Sequence, residues 1–297
     1  MAFNSIQELV SAAEKAGRSI GEHALLSQAA ASERNEQEVY DEMAERLRIM
    51  QEAADFGFSK TKRTASGLAG GDAAKVQAAM ANGTIPQNVY TRSIAVSIAV
   101  AECNAKMGKI VAAPTAGSCG VLPGVILPAM EMEGIPEQKA VLGLFCAGAM
   151  GAVIAKRASL SGAECGCQAE CGSAAGMAAA AFTEMKGGTP RQAADALAIA
   201  IKGLLGLVCD PVAGIVECPC VKRNADSAVH ALAAAHMVLA GMESMVPADE
   251  VLDAMKSIGR CMHPSLKETS EGGLACTASA RDRAAAMEKG WEESKRD

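Results

Sequence analysis

Residues 189–192 have the sequence Thr-Pro-Arg-Gln, which combines an N-cap threonine, a first-turn proline and a capping glutamine. This combination is typical of the first turn of a helix. The same reasoning predicts helix starts at Ser5–Glu8, Asn35–Glu38 and Val246–Glu250. Gly17 should end the first of these helices. The helix that begins near Asn35 should run to about Phe56.

The rest of the chain also favours helices. No stretch carries a sustained alternation of β-branched and aromatic residues, so strands should be minor. Aromatic residues make up only 3% of the chain, which indicates helices that pack closely through small side chains. We therefore predict an all-α, compact multi-helix fold in a single domain over residues 1–297. Its parts should be amino-terminal helices over 1–60, a core over 61–279 and a charged tail over 280–297.

Charge and composition exclude several classes of function. The net charge of −6 and the pI near 5.4 argue against a nucleic-acid surface and against a basic membrane-binding patch. Residues 1–8 lack the basic-then-apolar pattern of a signal peptide. We expect a cytoplasmic protein, whose eleven cysteines would then be thiols or metal ligands and not disulfides.

Two uncharged segments raise the question of a membrane span. Residues 110–130 are interrupted by Pro114, Pro123 and Pro128, so an unbroken helix should not form there. Residues 140–155 are too few to cross a bilayer and suit a buried helix. Both segments should therefore lie in the interior of the protein.

Glycine-rich breaks separate the predicted helices. Backbone N–H groups in such turns suit the binding of a carboxylate or another small anion, although a turn can also be a simple connection. The breaks are residues 66–73, 113–120, 162–172, 209–220 and 265–273.

Six of the cysteines lie in two of these breaks, Gly162–Gly172 and Cys209–Cys220. They could hold a metal, react, become oxidised, or be buried as small apolar side chains. The chain contains no C-x-x-C pair, which disfavours zinc ribbons, ferredoxin runs and thioredoxin-type motifs. Cys167 and Cys171 would share a helix face, whereas Cys165 would not. Pro219 should keep its neighbours extended and aim one thiol inward.

The spacing suggests one ligand from each of three phrases and does not choose among the cysteines within a phrase. Three thiolates would leave one iron of a [4Fe–4S] cube free. Such an iron is a Lewis acid that can polarise a hydroxyl group. This pattern differs from a closed structural site with four cysteines.

A set of phrases resembles the alpha subunit of the iron–sulfur-dependent bacterial L-serine dehydratases. The phrases occur in the family's order, and the resemblance covers nearly the whole chain. They are Ser66–Asp72, Asn104–Gly108, Pro114–Gly117, Ala163–Gln168, Cys209–Gly214, Pro219–Cys220, Lys267–Thr269 and Gly272–Ala275.

The resemblance implies a [4Fe–4S] cluster on which the Gly/Pro/Cys-rich loops converge. It assigns the cluster ligands to Cys167, Cys209 and Cys220, and it selects Cys167 over Cys165. It also places a set of residues at the substrate. These are Thr115, Ala116, Gly117, Ser118, Arg157, Ser161 and Lys267. The two basic residues in this set could equally be surface charges or bind a helix C-terminus.

The implied reaction removes water from L-serine and ends in pyruvate and ammonia. His230 and His236 are six residues apart and do not share a helix face, so both are interpreted as ordinary helix histidines. The family's catalytic histidine lies on a beta portion that this chain lacks. We expect no catalytic base in this chain, a separate beta subunit that supplies it, and a higher oligomer of alpha/beta pairs.

Two features depart from the family, and two other functions stay open. Single-chain members end in a cysteine that reaches the site, whereas this sequence ends in Lys-Arg-Asp and offers Cys276 in that region. Cys119, Cys165, Cys171 and Cys218 are extra thiols. An L-cysteine desulfidase-like lyase would differ in its preferred substrate. A non-catalytic cluster or thiol redox sensor would have a DNA-binding partner encoded nearby.

Overall fold

The computed structural model describes residues 3–294, and within them it contains helices and turns but no strand. The prediction of an all-α, multi-helix fold is therefore confirmed. Within the described residues, the backbones of Cys209 and Lys267 form an isolated parallel β-bridge. The helices are α1 Ile6–Lys15, α2 Ile20–Ser32, α3 Glu36–Ser59, α4 Asp72–Ala81, α5 Val89–Ala105, α6 Val121–Glu133, α7 Glu137–Arg157, α8 Gly162–Cys165, α9 Ser173–Met185, α10 Pro190–Gly203, α11 Cys220–Leu239, α12 Ala248–Cys261 and α13 Ala278–Ser294.

The predicted helix starts at Ser5, Asn35, Thr189 and Pro247 are confirmed. Thr189 forms the full capping box, because its hydroxyl accepts from the Gln192 amide while its own amide donates to the Gln192 side chain. At Ser5 the box is incomplete. The Glu8 carboxylate there accepts from the amide of Asn4, and the Ser5 hydroxyl accepts from the amide of Glu8.

Helix α9 lies at the centre of the fold and packs against α6, α7, α10 and α11. Of its thirteen residues, all but Glu184 are buried, and most are alanine, glycine or serine. Small side chains let four helices approach one axis, so the scarcity of aromatic residues and the abundance of alanine have the same structural cause.

Helix α7 is the one helix in the described residues that is long and apolar enough to cross a membrane, and two thirds of that apolar stretch is buried inside the protein. It is the buried helix predicted over 140–155. The expectation for 110–130 is wrong in part, because Pro123 and Pro128 both lie inside α6. Pro123 is in the first turn, where an amide has no partner within the helix.

The helices before residue 60 pack on the rest of the fold, with α2 against α7 and α3 against α5. The division of residues 1–297 into amino-terminal, core and tail parts stays a prediction. Within the proposed tail, residues as far as Ser294 belong to α13. Residues 1, 2 and 295–297, which include parts of the predicted amino terminus and tail, lie outside the described residues.

The contact between α3 and α5 gives a first prediction. A Cβ atom on Gly57 would lie 2.0 Å from the Ala99 carbonyl oxygen, which is backbone and has little freedom to move. We expect Gly57→Ala to lower the free energy of unfolding by about 1–3 kcal/mol or more. Gly148→Ala on exposed α7 surface has no atom within 4 Å of the new group, and it should instead raise stability by about 0.5–1 kcal/mol. Urea denaturation of both variants would check this pair, and equal effects would contradict it.

Candidate functional site

Three thiols from distant parts of the chain lie near one another. Cys167 directly precedes a five-residue π-turn, Cys209 pairs through its backbone with residues 266–268, and Cys220 is the first residue of α11. Burial raises the pKa of Cys220 to about 12, and the neighbouring Cys167 acts in the same direction. Burial also raises the pKa of Cys209, and both other thiols contribute to that rise. The structure therefore brings together the three cysteines that the resemblance selects.

No three His, Cys, Asp or Glu side chains in residues 3–294 are gathered around a position for a single metal ion. The three thiols are thus neighbours without sharing one ion position.

Both residues that flank the cysteine of the Gly-Cys-Gln phrase have a structural role. Gly166 has a φ of +73°, and a Cβ atom there would lie 2.6 Å from the Met262 sulfur. The buried Gln168 amide donates to the Met255 carbonyl at 3.0 Å and accepts from the Gly206 amide at 3.0 Å. The glycine therefore permits the turn, and the glutamine fastens it to α12 and to the loop after α10.

Cys171 and Cys165 point to different surroundings. The Cys171 thiol donates to Cys167, and this hydrogen bond lowers the pKa of Cys167. Cys165 packs against α12, where its sulfur would lie 2.5 Å from a Cβ atom on Gly259. The predicted shared face of Cys167 and Cys171 is confirmed.

Cys119, Cys218 and Cys276 have other surroundings. Cys119 is buried in the core beside Cys103, Cys218 is half-buried in a turn, and the Cys276 sulfur lies 3.8 Å from the Ser270 carbonyl oxygen. Residues 216–219 form turns and not the predicted extended chain, and the Cys218–Pro219 peptide bond is cis.

A buried ion pair flanks the thiols. Arg223 Nη2 lies 2.8 Å from Asp210 Oδ1, and Arg223 Nη1 donates to the Val208 carbonyl at 2.9 Å. The second oxygen of Asp210 accepts from the Leu274 amide at 2.7 Å. The positive charge of Arg223 lowers the pKa of both Cys167 and Cys220, against the larger effect of burial on Cys220. Sequence reasoning missed this arginine, although its place three residues after Cys220 on one helix face is a usable signal.

The loop of Thr115, Ala116, Gly117 and Ser118 lies beside the thiols and is held there by Asn224. This fully buried amide donates to the Gly117 carbonyl at 2.8 Å and to the Cys220 carbonyl at 2.9 Å, and it accepts from the Gly120 amide at 2.8 Å. One side chain therefore ties the loop to a proposed cluster ligand.

An open cleft of about 480 Å³ runs along this loop. It is lined by Thr115, Ser161, Gly162, Glu170 and Glu268, among others. The sulfur of Cys209 lies directly behind Gly162, because a Cβ atom at that glycine would be 3.1 Å from it. The predicted residues Thr115 and Ser161 thus meet at a cleft whose wall adjoins the thiols.

Glu170 is a carboxylate in this cleft that sequence reasoning missed. Thr115 Oγ1 donates to Glu170 Oε1 at 2.8 Å, and Thr115 also lies 3.1 Å from the Ser118 hydroxyl. Burial raises the pKa of Glu170, and the nearby Glu268 adds to this rise against the effect of the Thr115 hydroxyl. Its position in the cysteine phrase, three residues after Cys167, is the only sequence signal for it.

The two basic residues predicted at the substrate have different surroundings. The guanidinium of Arg157 pairs with both oxygens of Asp253 at 2.9 and 2.8 Å and lies 3.7 Å from Asp249. Lys267 belongs to the segment that pairs with the backbone of Cys209 and is half-buried. Substrate contact by either residue stays a prediction, and Arg157 already has carboxylate partners within the fold.

The glycine-rich loop at 66–73 does bind a carboxylate, but the carboxylate belongs to the protein. Glu102 is fully buried and accepts from the amides of Gly71 and Asp72 at 2.9 and 2.7 Å. This arrangement satisfies the first amides of α4. These two amides are therefore occupied within the fold.

The histidines of α11 bind within the helical core. His230 Nε2 lies 2.9 Å from the Ala200 carbonyl oxygen, and His236 Nδ1 lies 3.0 Å from the Tyr90 hydroxyl. Neither residue lines the cleft beside the thiols. This agrees with their interpretation as helix histidines.

Comparison with known proteins identifies one family. The family model described as serine dehydratase alpha chain matches residues 5–275. A probable L-serine dehydratase alpha chain of Bacillus subtilis is 44% identical over 281 residues, which cover 94% of this chain and 93% of the relative. The L-serine dehydratase alpha chain of Peptoniphilus asaccharolyticus is 39% identical, with coverage of 92% and 94%. An L-serine dehydratase of Streptomyces coelicolor is 38% identical, and the match covers 92% of this chain but 60% of that protein.

Proposed function

Since the chain belongs to the serine dehydratase alpha chain family, we propose that it is the cluster-bearing alpha subunit of an L-serine ammonia-lyase. The reaction would convert L-serine to pyruvate and ammonia. The observation that carries the proposal is the meeting of Cys167, Cys209 and Cys220 beside the cleft that Thr115 lines. The relatives named above are L-serine dehydratases, which favours this substrate over L-cysteine and favours an enzyme over a redox sensor.

The donor set suits a [4Fe–4S] cluster held by Cys167, Cys209 and Cys220. Thiolates are the usual ligands of iron–sulfur clusters, and three of them leave one iron without a protein ligand. Ionising three neighbouring buried thiols is unfavourable without a compensating positive charge, and Arg223 supplies only one. When bound, the cluster would supply Lewis-acid activation of the substrate hydroxyl as a leaving group.

The chain's own residues would bind and orient the substrate. Asn224 fixes the Thr115–Ser118 loop against Cys220, so the polar groups of the loop keep a constant position relative to the thiols. The hydroxyl groups of Thr115 and Ser161 lie on the same cleft and can bond the polar groups of an amino acid. This arrangement supports substrate positioning by the alpha chain.

The base that removes the α-proton is proposed to lie on a beta subunit. Nearly the whole of this chain matches only 60% of the Streptomyces coelicolor relative, so that protein contains a further portion outside the match. A second chain could supply that portion. Neither His230 nor His236 lines the cleft, so neither is placed to act as this base. We propose a cytoplasmic assembly of several alpha/beta pairs.

Turnover with and without the partner tests the proposal. The anaerobically purified chain, mixed with its beta subunit, should form pyruvate from L-serine faster than it forms sulfide from L-cysteine. The chain alone should be slower by ~10²–10⁴-fold, because that is the usual contribution of a positioned base. Pyruvate formation by the chain alone at the rate of the mixture would place the base in this chain. Faster release of sulfide would favour the desulfidase reading.

A further inference from the structure

Glu170 accepts fewer hydrogen bonds than two other carboxylates that are withdrawn from solvent, Glu102 and Glu184. Glu102 accepts from two backbone amides and lies 3.5 Å from Lys106. Glu184 accepts from the Ser19 hydroxyl at 2.9 Å and from the Gly21 amide at 3.0 Å. Glu170 accepts only from Thr115, among the described residues.

The charge of Glu170 also has no counterpart within the described chain. No lysine, arginine or histidine of that part lies within 4.0 Å of its carboxylate, and its charged neighbour is the acidic Glu268. A half-buried carboxylate without a cation is costly to maintain, so a ligand that brings a positive charge would bind there favourably.

Two glycines leave space around this carboxylate. A Cβ atom on Gly117 would lie 3.0 Å from Glu170 Oε1, and one on Gly162 would lie 2.7 Å from Oε2. Any side chain at these positions would cover the carboxylate on either side. The second oxygen, Oε2, lies next to Gly162, both residues line the cleft, and Cys209 lies behind that glycine.

We propose that Glu170 binds the α-ammonium group of the amino-acid substrate, an inference that rests on the proposed function. An ammonium group has three N–H donors, and the carboxylate has a free oxygen and a negative charge to receive them. Thr115 holds the other oxygen and so fixes the direction of the carboxylate. An amino acid held here lies beside the thiols, and a hydroxy acid without the amine lacks this anchor.

Kinetics with Glu170→Gln and two compounds test the proposal in the complete alpha/beta enzyme. We expect the KM for L-serine to rise about 10- to 100-fold, the range for a lost charged hydrogen bond. The inhibition constant of 3-hydroxypropionate, which is serine without its amine, should change less than about threefold, because this compound makes no ion pair with Glu170. Iron content and melting temperature, measured in parallel, should match those of the wild type.

Glu164→Gln is the matched control. Glu164 lines the same cleft but is exposed and already bonded by the Ser159 hydroxyl, so the same change of charge should raise the KM for L-serine much less than Glu170→Gln does. If Glu170→Gln does not fold, Glu170→Asp takes its place. It keeps the charge but withdraws it by one methylene, so the KM for L-serine should rise less than in Glu170→Gln while the inhibition constant of 3-hydroxypropionate again changes less than about threefold.

Two results would overturn the inference. One is an equal loss of affinity for both compounds, and the other is a fall in kcat with an unchanged KM. Failure of the proposed function has a different signature, since the wild-type enzyme would then form no pyruvate from L-serine.

Discussion

Cys209→Ser is expected to remove the iron and acid-labile sulfide of the anaerobically purified chain and to lower sharply the rate at which it forms pyruvate from L-serine together with the beta subunit. The wild type should contain about four of each per chain, the content of one cube. Cys209 is buried and lies near both other proposed ligands, so its replacement by serine would leave the cluster with two of its three proposed thiolates. The rate should fall by ~10³-fold or more, because Lewis-acid activation contributes several kcal/mol.

Two control variants test whether the loss of iron is specific to Cys209 or follows the replacement of any cysteine. Cys261 is exposed at the end of α12, and Cys165 packs against Gly259, so Cys261→Ser and Cys165→Ser should both retain iron. Exposure to air should remove iron from all of the variants that contain it. Zinc in place of iron, or no metal in protein kept anaerobic throughout, would contradict the cluster assignment.

Local signals in the sequence were enough to predict the helix starts. A cap at Thr189 or Asn35 is made by residues within one turn, so its outcome depends little on the rest of the fold. The proline argument for 110–130 was less successful because a first-turn proline costs a helix little, and packing in the core holds the rest of α6 together.

The candidate site could be predicted only in part, because its key contacts join distant residues. Glu170 is identified as a site residue by the hydrogen bond from Thr115, which is 55 residues away in the sequence. Asn224 is identified by its hydrogen bond to Gly117, which is 107 residues away. Glu102 is a case in which the sequence pattern indicated binding of an anion but did not identify that anion. The amides of a glycine-rich loop indicate an anion, but only the fold determines that the anion is a side chain of the protein.

Asp210→Ala is expected to have the largest effect on stability among single changes near the site. Asp210 is almost fully buried and pairs with Arg223, so its loss leaves an arginine with 15% side-chain exposure without its carboxylate. Removing one partner of a buried pair costs about 3–5 kcal/mol. The free energy of unfolding, measured by anaerobic urea denaturation, should fall by that amount. Asp253→Ala, which breaks the more exposed pair with Arg157, should cost about 1 kcal/mol or less.

A double variant then distinguishes the stability role of the pair from its role beside the thiols. Asp210→Ala combined with Arg223→Met removes both charges, and apolar replacement of a buried pair typically recovers much of the lost stability. If the positive charge of Arg223 also favours the ionised thiols, the recovered protein should bind iron less tightly than the wild type. Recovery of stability with unchanged iron binding would show that Arg223 serves the fold alone. Failure to recover stability would show that Asp210 acts through the Leu274 amide more than through the arginine.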